Sequence, residues 1–261
     1  MMRIGFFDSG IGGMTVLHQA LRLLPHEDYI FYADTVHVPY GEKPKEEVKN
    51  YIFNAVDFIA AQGVKAMVIA CNTATSIAIE ELRERYDFPI LGIEPAVKPA
   101  VQKWEVNRKK VLVLATNLTL KEEKFNILVK RLDHQDIVDS LALPALVEFA
   151  EKYEFNEEQV ICYLKNELTR FDLCQYGTVV LGCTHFPYFT KELRKLFPDD
   201  TDFISGSVGT AKNLQRILEA NHQLDHGTGD IIFYKSGFRV EDDYTLVQYQ
   251  RLLGMLDGLS T

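Results

Sequence analysis

Two stretches, Val68-Ile69-Ala70-Cys71-Asn72-Thr73 and Val180-Leu181-Gly182-Cys183-Thr184-His185, decide the reading of this chain. Each is a short apolar run, closed by a cysteine and then by hydrogen-bonding side chains. A run too short for a helix and apolar on both faces is what a buried parallel strand requires. Ala66 to Ala70 is therefore read as a strand delivering Cys71, and Thr178 to Gly182 as a strand delivering Cys183. The same residue type at the same strand end, followed each time by cap-type residues, predicts two similar units.

The flanking sequence extends both units. Before the first cysteine strand lies an amphipathic stretch, Lys45 to Gln62, with Val48, Ile52, Val56 and Ile59 on one face and Gly63 as its stop. Upstream, Arg3 to Phe7 ends in Asp8-Ser9-Gly10-Ile11-Gly12-Gly13 and Tyr29 to Ala33 ends near Asp34. Downstream come a helix from Thr75 to Arg85 and a strand from Pro89 to Ile93. The second unit repeats the scheme with strands at Lys110–Ala115 and Val138–Ala142 and helices at Pro144–Tyr153, Glu157–Phe171 and Tyr188–Leu196. Asp8 precedes Cys71 by 63 residues and Thr116 precedes Cys183 by 67, a weak internal repeat. Strands alternating with helices predict an α/β fold of two doubly wound, flavodoxin-like lobes with mostly parallel sheets. A crossover is expected near Glu94–Asn107, where Pro95 and Pro99 disturb helix and sheet and Trp104 is read as interdomain packing. The tail carries a helix pattern (Gly209–Ala220), a strand (Asp230–Lys235) and a final helix (Asp243–Leu256), and pattern alone does not say which lobe it joins.

Composition narrows the function. The 261 residues are 47% hydrophobic and 25% charged, enough for one large or two modest globular domains. Lys+Arg number 28 against 37 Asp+Glu, a net charge of −9, which speaks against nucleic acid as a partner. Apolar runs fall well short of the ~20 residues of a membrane span. Residues 1–8 contain no secretory h-region, so a cytoplasmic location with reduced thiols is expected.

Ligands of open α/β sheets bind beyond the carboxyl ends of the strands, and the polar clusters fall there, at the rims expected to face one cleft. Gly10-Ile11-Gly12-Gly13 lacks the third glycine of a dinucleotide fingerprint and is no P-loop; it reads as a tight turn whose N–H groups hold a carboxylate. Cys162 and Cys174 read as small packing residues. Cys71 and Cys183 instead sit before helix starts, where the sulfur is exposed and the helix dipole favours thiolate. No paired-cysteine or paired-histidine spacing supports a metal site. Two facing thiols suit an enzyme that removes a proton from one side of a carbon and returns one to the other.

These residues carry a resemblance. Phe7-Asp8-Ser9-Gly10-Ile11-Gly12-Gly13, then Asp34 with Pro39-Tyr40-Gly41, then Ala70-Cys71-Asn72-Thr73-Ala74, then Gly182-Cys183-Thr184-His185-Phe186-Pro187 resemble the glutamate racemases of the aspartate/glutamate racemase superfamily. The resemblance implies a cofactor-independent racemase that makes D-glutamate for peptidoglycan, with no membrane partner and commonly a homodimer. It implies that Cys71 acts on D-glutamate and Cys183 on L-glutamate, with Asp8 and His185 assisting. Substrate contacts are expected from Asp8, Ser9, Tyr40, Gly41, Asn72, Thr73, Thr116, Thr119, Thr184 and His185 beside the thiols, and further roles from Asp34 and Glu148. A neutral His185 beside a thiol is the more useful form. The tail is expected to return to the first lobe, giving a discontinuous domain of 1–96 and 208–261 around a second of 97–207.

The chain also departs from the family pattern. Ala115 stands where a glycine is usual before Thr116, Glu122 and Phe125 replace a serine and a tyrosine, and around Glu148 only Leu146-Val147-Glu148 aligns. Aspartate racemisation and a non-catalytic carboxylate-binding protein are the competing readings.

Overall fold

In the computed structural model, which describes residues 2–104, 109–133, 136–225 and 227–258, two open sheets stand side by side with helices on both faces. The first half runs β1 (Arg3–Asp8), α1 (Met14–Leu23), β2 (Tyr29–Ala33), α2 (Lys45–Ala60), β3 (Val64–Ile69), α3 (Asn72–Arg85) and β4 (Ile90–Gly92). After α4 (Val97–Trp104) the second half runs β5 (Lys110–Ala115), α5 (Asn117–Lys121), α6 (Glu123–Leu132), β6 (Val138–Ala142), α7 (Pro144–Glu151), α8 (Glu157–Leu168), β7 (Tyr176–Leu181), α9 (Thr190–Arg194) and β8 (Asp202–Ser205). The tail adds α10 (Ser207–Ala220), β9 (Ile231–Lys235), β10 (Phe238–Arg239) and α11 (Asp243–Asp257).

The strand orders are β10-β9-β2-β1-β3-β4 and β6-β5-β7-β8, so β2-β1-β3-β4 and β6-β5-β7-β8 wind identically. The registers match too: Phe7 pairs with Ile69 and Leu114 with Leu181, and both central pairs slip at their first residue. Every residue of β3 and β7 is buried, as in a sheet covered on both faces, and Lys65 within β3 pairs with Glu27 and Asp225. All pairings are parallel except that of β10 with β9. One apolar cluster runs from Phe6 and Phe31 through Ile11 and Met14 to Leu114, Leu146 and Phe186, so the lobes share a core on one side.

Three details correct the expectations. Pro99 lies in the first turn of α4, where its missing N–H would have no helical partner, so the helix forms. Trp104 does not pack between the lobes: its Nε1 donates to Thr178 Oγ1 at 2.7 Å and its ring lies against Gly177 of β7. Cys162 and Cys174 do not pack at all; both are exposed, while Cys71 and Cys183 are the buried pair. Residues 105–107 of the expected crossover lie outside the described residues. Among the described residues no helix is long and apolar enough to cross a membrane.

Candidate active site

Parallel strands of equal winding present their carboxyl ends on one rim of each sheet, and the two rims meet. Asp8 ends β1, Cys71 follows β3 as the N-cap of α3, Thr116 caps α5 and Cys183 follows β7. Cys71 and Cys183 are 5% and 6% exposed, and the charge of Cys183 adds to the rise of the Cys71 thiol. The expectation that strand-end sulfurs are exposed fails: both are buried.

Around Cys71, Sγ donates to Ser9 Oγ at 3.6 Å and accepts from Ala74 N at 3.4 Å. Burial pushes the thiol up to about 12, with the Asp8 carboxylate adding to the rise, against the lowering pull of the Ala74 N–H and Ser9. The helix N-terminus thus loses to desolvation, and Cys71 holds its proton in this closed cleft. Asp8 is itself fully buried, and burial raises it from 3.8 to about 7 despite His185 and the Gly10 N–H. Its Oδ2 accepts from Gly10 N at 3.0 Å and its Oδ1 from Thr184 Oγ1, across the cleft, at 3.2 Å.

Around Cys183, His185 Nδ1 lies 3.6 Å from Sγ and Nε2 lies 2.6 Å from Glu151 Oε1. Burial alone would pull this imidazole down, but Cys183 and Glu151 outweigh it and hold His185 well above its usual range. The imidazole thus favours its charged form, against the expected neutral one. Its partner, Glu151, was not foreseen: it ends α7 and also accepts from Ile11 N, in the other lobe, at 2.7 Å. Glu148, one turn earlier, is 53% exposed and pairs with Lys152 at 3.5 Å, so it does not join the cluster.

The glycine loop thus holds carboxylates of the protein itself, Asp8 at Gly10 N and Glu151 at Ile11 N. A Cβ at Gly10 would fall on the Glu151 carboxylate, and one at Gly12 would lie 2.5 Å from both His185 Nδ1 and Thr184 Oγ1. Close approach of the second lobe is what these glycines permit.

The remaining polar lining comes from both sides. Thr73 Oγ1 lies 3.0 Å from Thr116 Oγ1 and 3.1 Å from Thr119 Oγ1, a hydroxyl triad bridging the lobes. Asn72 is buried, and neither of its amide atoms has a partner among the described residues. An unpaired buried amide is costly, which suits a group kept for a ligand. Tyr40 OH donates to the buried Asp34 Oδ2 at 2.6 Å, and a Cβ on Gly41 would meet Thr116 Cβ at 2.6 Å, so this loop lies directly against the second lobe. Glu122, the departure noted above, takes Lys45 Nζ across the cleft at 2.7 Å, and Asn117 Nδ2 donates to Glu42 Oε1 at 2.9 Å. Phe125, the other departure, packs into the core of the second lobe.

This arrangement sets two buried cysteines, one per lobe, beside polar and charged side chains: Ser9 and Asp8 near Cys71, and His185 near Cys183. A sequence profile described as Asp/Glu/Hydantoin racemase matches residues 12–208. The chain belongs to that family. It is 64% identical over 256 residues to "Glutamate racemase 2" of Bacillus subtilis, covering 98% of this chain and 97% of the relative. Among solved structures, a glutamate racemase isoform from Bacillus anthracis superposes with a TM-score of 0.82 at 28% identity, covering 97% of this chain and 94% of that one. Escherichia coli glutamate racemase, solved with L-glutamate and the activator UDP-MurNAc-Ala, superposes with a TM-score of 0.82 at 29% identity, covering 95% and 96%. As an amino-acid racemase, this family member is an isomerase with the same two-lobed fold.

Proposed function

We propose that this chain interconverts L- and D-glutamate by two-thiol proton transfer at Cα, in the cytoplasm, supplying D-glutamate for peptidoglycan. The observation that carries the reading is the buried pair Cys71 and Cys183, one from each lobe, each with a separate acid/base partner. One sulfur, as thiolate, takes the Cα proton and becomes a thiol. The other, as thiol, gives its proton to the opposite face of the carbanion and becomes a thiolate. Both proton carriers are side chains of the chain, so the reaction as written draws on no cofactor. Because Cys71 holds its proton here, the closed state is set for Cys183 to act first, on L-glutamate, with the charged His185 imidazole 3.6 Å from its sulfur. Asp8 would relieve Cys71 of its proton in the reverse direction. Acid–base groups supply about 10²–10⁴-fold, so the dry cleft and its hydroxyls must also stabilise the carbanion.

The substrate carboxylates and ammonium are assigned to Asp8, Ser9, Tyr40, Gly41, Asn72, Thr73, Thr116, Thr119, Thr184 and His185. The lobes are assigned to 1–96 with 208–261, and to 97–207, which the parallel pairing of β9 with β2 supports. The test is incubation of each glutamate enantiomer in D₂O with no added cofactor. The product enantiomer is expected to carry deuterium at Cα while recovered substrate stays protiated. Equal exchange into substrate and product, or full activity of Cys71→Ala, refutes the two-thiol step. Turnover of aspartate in place of glutamate refutes the substrate.

A further inference from the structure

The turn between β9 and β10 contains Ser236 at φ +46° and Gly237 at φ +89°. A two-residue hairpin with both positions left-handed favours Asn, Asp or Gly, and a serine there is strained. Its hydroxyl is what compensates. Ser236 Oγ donates to Asp34 Oδ1 at 2.9 Å and accepts from Val36 N at 3.0 Å, while Ser236 N donates to Ala33 O at 2.9 Å. Asp34 is 3% exposed, and besides Ser236 its carboxylate receives Tyr40 OH at 2.6 Å and His37 Nδ1 at 2.8 Å. Asp34 N in turn donates to the backbone carbonyl of Asp8 at 3.0 Å. The His37 ring stacks on Tyr51, which leaves the Asp34 carboxylate few other orientations.

We infer that Ser236, on the C-terminal hairpin and remote in sequence from every motif, is a positioning residue for racemisation. It fixes the Asp34 carboxylate, and Asp34 fixes Tyr40, so that Tyr40-Gly41 is held against Thr116 over the cleft. Ser236 touches no reacting atom; it acts through Asp34. Its effect falls on substrate binding, because the segment it holds carries binding groups and neither thiol. The inference rests on the glutamate racemase reading for its kinetic part alone.

The test uses Ser236→Gly, which removes the hydroxyl and suits the left-handed turn, so the fold is retained. KM for both glutamate enantiomers is expected to rise about tenfold, the scale of one hydrogen bond to a charged group, with kcat within about twofold and Tm not lowered. In an Asp34→Ala background, which removes both acceptor oxygens, the same substitution is expected to add nothing, since its route is already cut. Ser236→Asn, which tolerates the turn and offers an amide donor, is expected to restore part of the loss. Hydrogen exchange of residues 34–42 gives a readout without turnover and is expected to quicken in Ser236→Gly. An unchanged KM, a loss confined to kcat, or an equal loss with and without Asp34→Ala overturns the inference. If the wild type racemises neither enantiomer, the functional reading falls, and unchanged exchange in residues 34–42 separately overturns the positioning role.

Discussion

Replacing Asp8 by Asn isolates the cost of a buried carboxylate at the centre of the cleft. Asn has the same shape, keeps one oxygen to accept from Gly10 N, and offers an amide N–H that the Thr184 hydroxyl can accept in place of donating. Burial raises Asp8 from 3.8 to about 7, a shift of about 3 units, worth about 4 kcal/mol at ~1.4 kcal/mol per unit. Between pH 4 and 7 the folded chain retains a proton on Asp8 that the unfolded chain has released. Stability therefore falls as pH rises through that window, and the contribution is gone above pH 7. The variant lacks this slope. Urea denaturation of both proteins at steps from pH 4 to 8 is expected to show the wild type losing about 4 kcal/mol relative to Asp8→Asn. Near pH 8 the variant then melts higher by roughly 8–16 °C, at about 2–4 °C per kcal/mol, although its racemisation is down about 10²-fold. A stability difference that stays flat from pH 4 to 8, or that grows in the wild type's favour, refutes the claim that the folded chain protonates Asp8.

Three further substitutions or titrations probe the rest of the site. Glu151→Gln removes the partner of the His185 cation, so the imidazole resonance in NMR is expected to titrate at lower pH than in the wild type. Stability below pH 6 should also drop by about 3 kcal/mol, as for other buried pairs that lose one member. Because a raised histidine stabilises the fold at low pH and loses that contribution as pH climbs through its folded value, the gap between the two proteins should narrow at high pH. Gly12→Ala places a methyl 2.5 Å from His185 Nδ1, and kcat is expected to fall at least ~100-fold, with about 1–3 kcal/mol of overpacking seen in the melting curve. An aromatic disulfide reagent is expected to titrate Cys162 and Cys174 quickly in the native protein and Cys71 and Cys183 only slowly, glutamate slowing the second pair further.

The departures from family pattern show how far sequence reading reaches. Glu122 in place of the usual serine is an anomaly on its own, and only in the folded chain does Lys45 account for it. Glu148 aligned with the family motif by its neighbours Leu146 and Val147, both of which are buried in α7. The acid in contact with His185 is nevertheless Glu151, because the helix end, rather than its middle, reaches the cleft. A signal for Glu151 did exist: an acid ends the helix that carries the aligned Leu146-Val147-Glu148. Glu154, Glu157 and Glu158 follow closely, and nothing local separates one from another.

By itself, the sequence determined the two lobes, the strand-end placement of Cys71 and Cys183, and the polar residues beside them. Apolar period and strand-ending polar residues are local features, and parallel winding then sends every strand end to the same rim. Tertiary structure decided the charge states and the helpers. Glu151 meets Ile11 across 140 residues, Thr184 meets Asp8 across 176, and Ser236 meets Asp34 across 202. No local pattern encodes such pairs. The protonation of Cys71 and Asp8 likewise follows from their burial in the fold, because desolvation depends on every atom that displaces water and not on the neighbours in the chain, while His185 is held up by Cys183 and Glu151 against that same desolvation.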